Sequence, residues 1–188
     1  MEKTRCSWVK ISNPLYVAYH DEEWGLPLHN DHKLFELLCL ETYQAGLSWE
    51  TVLNKRSAFR SAFHGYAVDK VAQMTDEELD RLLVNPDIIR HRAKLYATRK
   101  NARAFQRVQT EFGSFDRYLW SWVNGQPQVN PVSDYSQAPT QTTLSQALSK
   151  DLKKRGFTFV EPVCVYSYLQ AAGLVNDHED TCFCKNTQ

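Results

Sequence analysis

Thr75-Asp76-Glu77-Glu78-Leu79-Asp80-Arg81-Leu82-Leu83-Val84-Asn85-Pro86-Asp87-Ile88-Ile89 is the stretch from which the fold is read. Thr75 with Glu78 three residues on is a capping box, in which each side chain satisfies a backbone N–H at a helix start. The helix that follows, through Leu79 to Val84, stops at Asn85-Pro86. Proline has no N–H to donate and biases the residue before it away from the helical region. Asp87-Ile88-Ile89 leaves room only for a tight connection before a second helical run, from about Ile89 to Phe112. Residues 75–105 therefore read as helix, short turn, helix.

The second of these helices is one-sidedly basic. It carries Arg90, Arg92, Lys94, Arg99, Lys100, Arg103 and Arg107, with no acid between Asp87 and Glu111. A tight hairpin that presents backbone N–H groups at a helix start binds a phosphate without reading sequence, and a basic face behind it adds phosphate contacts. A surface helix whose charges are simply solvated carries the same pattern.

Outward from the hairpin the chain continues as helices. Asp69 to Met74 reads as a short one. Ser114 caps another from Phe115 to Val123, and Asn124 to Thr142 is a polar, proline-containing loop. Thr143 to Arg155 is helical and closed by Gly156, and Pro162 opens a last helix through Ala172. Upstream, Asn30 or Asp31 caps a helix that runs to about Ala45. Ser48 starts the next, with Trp49, Val52, Leu53, Phe59 and Phe63 along one face. Residues 1–30, with Pro14 and Pro27 among many aromatics, read as an irregular segment that something must pin. Phe157-Thr158-Phe159-Val160 is the one piece with an extended pattern. Strand signals are otherwise nearly absent, so the fold class is all-α.

With 188 residues the chain suits one unit spanning 1–188. Lys plus Arg equals Asp plus Glu, 22 each, so no global field points to a polyanion and any such partner must meet a local patch. No apolar run is long enough to span a membrane, and the first residues lead into no signal-peptide core. The five cysteines are an odd number and suit a reducing compartment. The expected protein is soluble and cytoplasmic.

Two clusters can carry chemistry. The first follows the apolar run 34–40: Glu41, Gln44, a turn at Gly46, Leu47, then Ser48 and Trp49. With Tyr16 and Tyr19 from the N-terminal segment, Glu41 and Trp49 can sandwich and hydrogen-bond a flat heterocycle; the alternative is an exposed Glu at a helix end. The second joins the two ends of the chain. Cys6 and His20, with His178 and Cys182 spaced i, i+4, make a tetrahedral Cys2His2 set suited to zinc, and Cys184 can take the place of Cys182. Neither half has finger spacing, and two part-buried cysteines with two surface histidines explain the same residues.

Several stretches resemble the DNA-3-methyladenine glycosylase I family of bacterial base-excision repair. They include Cys6-Ser7-Trp8, Pro14-Leu15-Tyr16, Ala18-Tyr19-His20-Asp21, Glu23-Trp24-Gly25, Leu40-Glu41, Gln44-Ala45-Gly46-Leu47-Ser48-Trp49 and Gly173-Leu174-Val175-Asn176-Asp177-His178. They run nearly end to end in order. The resemblance implies a helix–hairpin–helix DNA glycosylase fold whose ends, 1–30 and 173–188, are stapled by one structural zinc on Cys6, His20, His178 and Cys182. It implies Glu41 as the catalytic carboxylate and Tyr16, Tyr19 and Trp49 as the base pocket. Gln44 and Leu47 would fill the gap in the duplex, and Ile88 and Arg90 would contact DNA from the hairpin. The implied activity is hydrolytic excision of N3-methyladenine from alkylated double-stranded DNA, leaving an abasic site, by a monomer. No lysine nucleophile stands beside the motif, so strand cleavage is not expected. An alternative is a lesion-binding or altered-specificity relative with weak excision.

Four residues depart from the family's pattern. Thr42 and Asp87 stand where glycine is usual, Glu50 where an aliphatic residue is, and Glu161 where another glycine is. They predict a narrower pocket entrance and a hairpin whose Asp87 carboxylate repels phosphate.

Overall fold

The computed structural model describes residues 3–186. Ten α-helices are present among them: α1 (Pro14–Glu22), α2 (Asp31–Gln44), α3 (Trp49–Asn54), α4 (Arg56–Ala62), α5 (Val68–Gln73), α6 (Asp76–Leu82), α7 (Arg92–Phe112), α8 (Phe115–Ser121), α9 (Thr143–Lys154) and α10 (Pro162–Ala171). The all-α expectation holds. The only sheet among the described residues is a parallel pair of two-residue strands, β1 (Gln128–Val129) and β2 (Val175–Asn176). The segment 157–160, expected to be extended, joins no strand. Among the described residues no helix is long and apolar enough to cross a membrane.

The central element is α2. Every residue from Leu34 to Tyr43 is buried, so the helix is enclosed all round rather than presenting one apolar stripe. It packs against α10, α7, α3 and α8. Two charged residues at its faces are satisfied. Burial opposes ionisation of Glu36, but Arg60 and Arg56 bond its carboxylate and hold it below the usual range. At its start Asp31 accepts from the Phe115 and Asp116 N–H groups at 2.9 and 2.8 Å, capping α8 from a neighbouring helix.

Three local expectations are corrected. Residues 1–30 are not wholly irregular: Asn13 caps α1 by accepting from Leu15 N–H, and Pro14 takes the first helical position, where its missing N–H costs nothing. The helix expected from Ser48 onward is broken at Lys55 into α3 and α4. The second hairpin helix begins at Arg92, not Ile89, because His91 caps it by accepting from Lys94 N–H. The capping box at Thr75 and Glu78 forms as read, and α6 ends at Leu82.

The two ends of the chain meet. Leu28 N–H donates to the Ala172 carbonyl at 3.1 Å. Beside that crossing, Gly173 has φ +75, and a Cβ there would lie 2.3 Å from the Leu26 carbonyl carbon. Only glycine admits both that conformation and that approach.

Candidate active site

The C-terminal end of α2, the buried face of α1 and the first turn of α3 enclose a cavity of about 170 Å3. An engineered apolar cavity of roughly 150 Å3 accepts benzene, so the volume suits one flat ring system. Tyr16 and Tyr19 reach it from α1, Glu41 and Gln44 from α2, and Trp49 from α3, whose start is fixed by the Ser48 cap. The Tyr19 and Trp49 rings lie 5.0 Å apart between centroids.

Glu41 is 4% exposed, and its Oε2 has no hydrogen-bond partner. Burial alone raises its pKa to about 8. A buried carboxylate costs free energy unless something compensates it, and the protein around Glu41 supplies no cation. Trp49 Nε1, also enclosed, is without a partner too. The cavity thus combines aromatic walls, an unpaired donor and an acceptor awaiting positive charge.

Sequence reasoning missed half of the wall. Trp8, Trp24, Tyr135, Ser167 and Gln170 complete the lining. Trp8 stands edge-on to Trp24 at 4.8 Å, and Trp24 to Tyr135 at 5.9 Å. Tyr135 comes from the polar loop and is held there by Gln170, whose Oε1 accepts from the Tyr135 hydroxyl at 3.1 Å. Gln170 in turn donates to buried Asp177 at 2.6 Å. The one available signal was a lone tyrosine in an otherwise polar loop.

Two of the four departures do not narrow the entrance. Thr42 lies inside the core, and its hydroxyl donates to the Cys39 carbonyl at 2.7 Å. Glu50 points away from the cavity and accepts from Asn13 Nδ2 at 3.1 Å and from Lys10. Since Asn13 caps the helix that carries Tyr16 and Tyr19, Glu50 fastens that helix to α3.

Behind Trp24 lies a cluster able to hold a metal ion: Cys6, His20, His178 and Cys182, all buried, with ligand atoms within 4.8 Å of one another. Cys6 Sγ is 3.4 Å from His178 Nδ1, while Cys182 Sγ is 3.5 Å from His20 Nε2 and 3.6 Å from His178 Nδ1. The other ring nitrogens are oriented from outside: His20 Nδ1 lies 2.8 Å from Asp21, itself gripped by Arg5, and His178 Nε2 lies 3.1 Å from the Trp24 carbonyl. Such outer partners fix ring orientation in metal sites. Burial lowers His178 to about 4, so it presents a neutral lone pair. Cys184 sits apart, within reach of His20 and Asp21.

The hairpin differs most from expectation. Ile88 is 2% exposed and belongs to the core, so only its backbone can meet a ligand. Arg90 is exposed and free of side-chain partners, as is Lys100. Other cations of the supposed basic face are engaged. Arg92 bonds Asp80, Arg99 bonds Asp76, and Arg103 donates to the Ala72 carbonyl. Lys94 is buried and donates to the Tyr43 and Ala45 carbonyls. Acids on α6 neutralise part of the basic run. Asp87, which stands where glycine is usual, does not have a positive φ. Its N–H donates to Asn85 Oδ1 at 2.9 Å, and its carbonyl accepts from Lys55 at 3.1 Å. Gln44 is half-buried at the cavity edge, and Leu47 is 40% exposed on the turn beside it.

The profile of the methyladenine glycosylase family matches residues 8–185. The chain is 51% identical over 180 residues to DNA-3-methyladenine glycosylase 1 of Escherichia coli (strain K12), covering 96% of each chain. It is 48% identical over 184 residues to a DNA-3-methyladenine glycosylase of Haemophilus influenzae, covering 98% of this chain and 99% of that one. Its structure superimposes with a TM-score of 0.93 on 3-methyladenine DNA glycosylase I of Staphylococcus aureus, described in terms of its recognition of 3-methyladenine. That pair shares 42% identity, over 98% of this chain and 97% of the other.

Proposed function

The chain belongs to the methyladenine glycosylase family, and from that premise we propose that it excises 3-methyladenine from alkylated double-stranded DNA by hydrolysis, in base excision repair. The observation that carries this reading is the unpaired, buried carboxylate of Glu41 inside an aromatic cavity. Methylation at N3 gives adenine a positive charge. Neutral adenine offers that carboxylate no counter-charge, whereas the methylated cation does.

Extrusion of the nucleotide costs a few kcal/mol of unstacking. Gln44 and exposed Leu47, on the turn after α2, occupy the gap it leaves. Trp49 and the tyrosines of α1 stack on the base, with a cation–π contribution of roughly 0.5–2 kcal/mol. The bond between C1′ and N9 is already weakened by the cation. When it breaks, its electron pair passes to the purine and cancels the charge. Water adds its oxygen to C1′ and releases a proton. Glu41, having lost its counter-ion, reverts to a basic carboxylate able to take that proton. The products are neutral 3-methyladenine and an abasic site.

A single zinc ion suits the buried Cys2His2 cluster. Bonds of about 2.3 Å to sulfur and 2.0–2.1 Å to nitrogen at tetrahedral angles separate S and N by about 3.6 Å, close to the 3.4–3.6 Å found. Bound there, the metal would supply structure, not chemistry: it would fix the backs of Trp8 and Trp24. We read the chain as one glycosylase unit, monomeric and cytoplasmic, with the hairpin at about 75–105 gripping phosphate through backbone N–H groups and Arg90.

Base release from alkylated DNA tests the reading. The wild type should liberate 3-methyladenine without cutting the strand, and Glu41→Gln should lose its preference for the cationic base. No release by the wild type at high enzyme concentration sinks the proposal.

A further inference from the structure

The base cavity does not end at Glu41. Glu41, Gln44 and Ser167 also line a second cavity, of about 270 Å3. Its remaining walls include Gly46 of the turn after α2, Phe159, and Val163 and Cys164 of α10. The two spaces are therefore neighbours across one carboxylate, with contrasting chemistry. The first is aromatic with unpaired polar atoms, whereas the second is walled largely by aliphatic, aromatic and thiol groups. The second opens to the surface between the Gly46 turn and the start of α10, where Val163 is 49% exposed. Phe159 is held there at φ +57, a conformation costly for a bulky side chain. Glu161, the one acid at this rim, is paired with Lys153.

We propose that this second chamber receives the 2-deoxyribose of the extruded nucleotide, with the base beyond it in the aromatic cavity and C1′ at the Glu41–Ser167 boundary. The proposal rests on the reading that the chain extrudes a methylated adenine nucleotide. An extruded base stays tied through its sugar to two phosphates of the duplex, so a base pocket must continue into a space for that sugar, open toward the DNA. The second chamber adjoins the base cavity and opens beside the turn that carries Gln44 and Leu47. Its wall beyond Glu41, Gln44 and Ser167 is largely apolar and suits the carbon skeleton of the deoxyribose. The arrangement also explains why Glu41 stands between two spaces: from there it borders both the base and the carbon at which the bond breaks. The strained backbone at Phe159 keeps a ring at the chamber's mouth, between it and the groove along α7 that Phe159 also lines.

The test is Val163→Trp, which fills the chamber's mouth from an exposed position. Three quantities are measured beside wild type and Val129→Trp: affinity for free 3-methyladenine by calorimetry, affinity for undamaged duplex, and excision from alkylated DNA. Val163→Trp should keep both affinities within about 2-fold while kcat/KM for excision falls by at least about 30-fold, as expected when only the positioned complex is blocked. Val129→Trp, the same change at an exposed valine outside both cavities, should leave all three unchanged. Retained excision in Val163→Trp overturns the proposal. So does a parallel loss of free-base binding, which would place Val163 on the base cavity, or of undamaged-duplex binding, which would make it a surface contact. An inactive wild type would instead overturn the function itself, and this inference with it.

Discussion

Lys94, in the first turn of α7, donates to the Ala45 carbonyl at 2.6 Å, at the very end of α2. The same ammonium donates to the Tyr43 carbonyl at 2.8 Å. One buried lysine thus caps the helix that carries Glu41 with a residue from the helix that follows the hairpin, so the hairpin and the base cavity share a fixed joint. Lys94→Met should leave two carbonyls short of a donor and destabilise the protein by about 2–4 kcal/mol. Denaturant unfolding measures this, and excision should fall with it because the 44–47 turn loses its anchor.

The pH dependence centres on Glu41. Its folded pKa, about 8, lies above the ordinary carboxylate value. The folded state therefore binds the proton more tightly than the unfolded chain. The stability from this group is fully present below about pH 4.5 and is lost as pH rises through about 8. Glu41→Gln, which mimics the protonated form, should match wild type in acid and exceed it at pH 9 by up to about 5 kcal/mol. A melting series across pH checks the sign.

The excision profile should move the opposite way. Only ionised Glu41 attracts the cation, so kcat/KM, which reports the free enzyme, should rise with pH to a plateau above about 8. Glu41→Gln should flatten that limb. Tyr16, Tyr19, Tyr135 and Cys164 nearby are all pushed upward, chiefly by burial, and stay neutral through this range.

Elemental analysis of freshly purified protein should find one zinc per chain. Its removal by a chelator, or Cys6→Ser, should lower Tm by about 10 °C or more, since metal binding is folding free energy in such sites. Because Trp8 and Trp24 pack against His20 and His178, the tryptophan emission should shift in the same titration.

At the hairpin, Asp87→Asn removes an exposed negative charge while keeping a side chain tolerant of turns. Affinity for undamaged duplex should rise about 2- to 5-fold at low salt and converge with wild type as salt increases. Lys55→Met, which withdraws the ammonium from the Pro86 and Asp87 carbonyls, should lower it.

Caps and breakers made most helices legible. Asn30, Ser48, Thr75, Ser114 and Pro162 act through bonds within a few residues, so their effect is written locally. Pro14 was misleading because a proline reads as a breaker until its place at the first position of α1 is known. The basic run of α7 was misleading for another reason. Asp76 and Asp80, which answer Arg99 and Arg92, precede them by 23 and 12 residues, so a charge count over α7 alone overstates its field. The cavity walls were half legible. Tyr16, Tyr19, Glu41 and Trp49 lie within or beside recognisable motifs, whereas Tyr135 and Gln170 enter only through a long loop and a late helix that no local pattern joins.

The crossing at Gly173 bears on when this protein becomes an enzyme. The strand of chain before Leu28 must lie over a backbone made some 145 residues later, and Cys6 must find His178 across a separation of 172. Contacts of such span are slow to form and are late events in folding. During synthesis, α1 can meet α3 early, but the backbone at Ala172 and Gly173 that Leu26 and Leu28 pack on is still to be made. A nascent chain will therefore hold Trp8 and Trp24 without Tyr135 and His178, and the ability to select a damaged base will arise as one of the last steps of maturation, after residue 182 has been made.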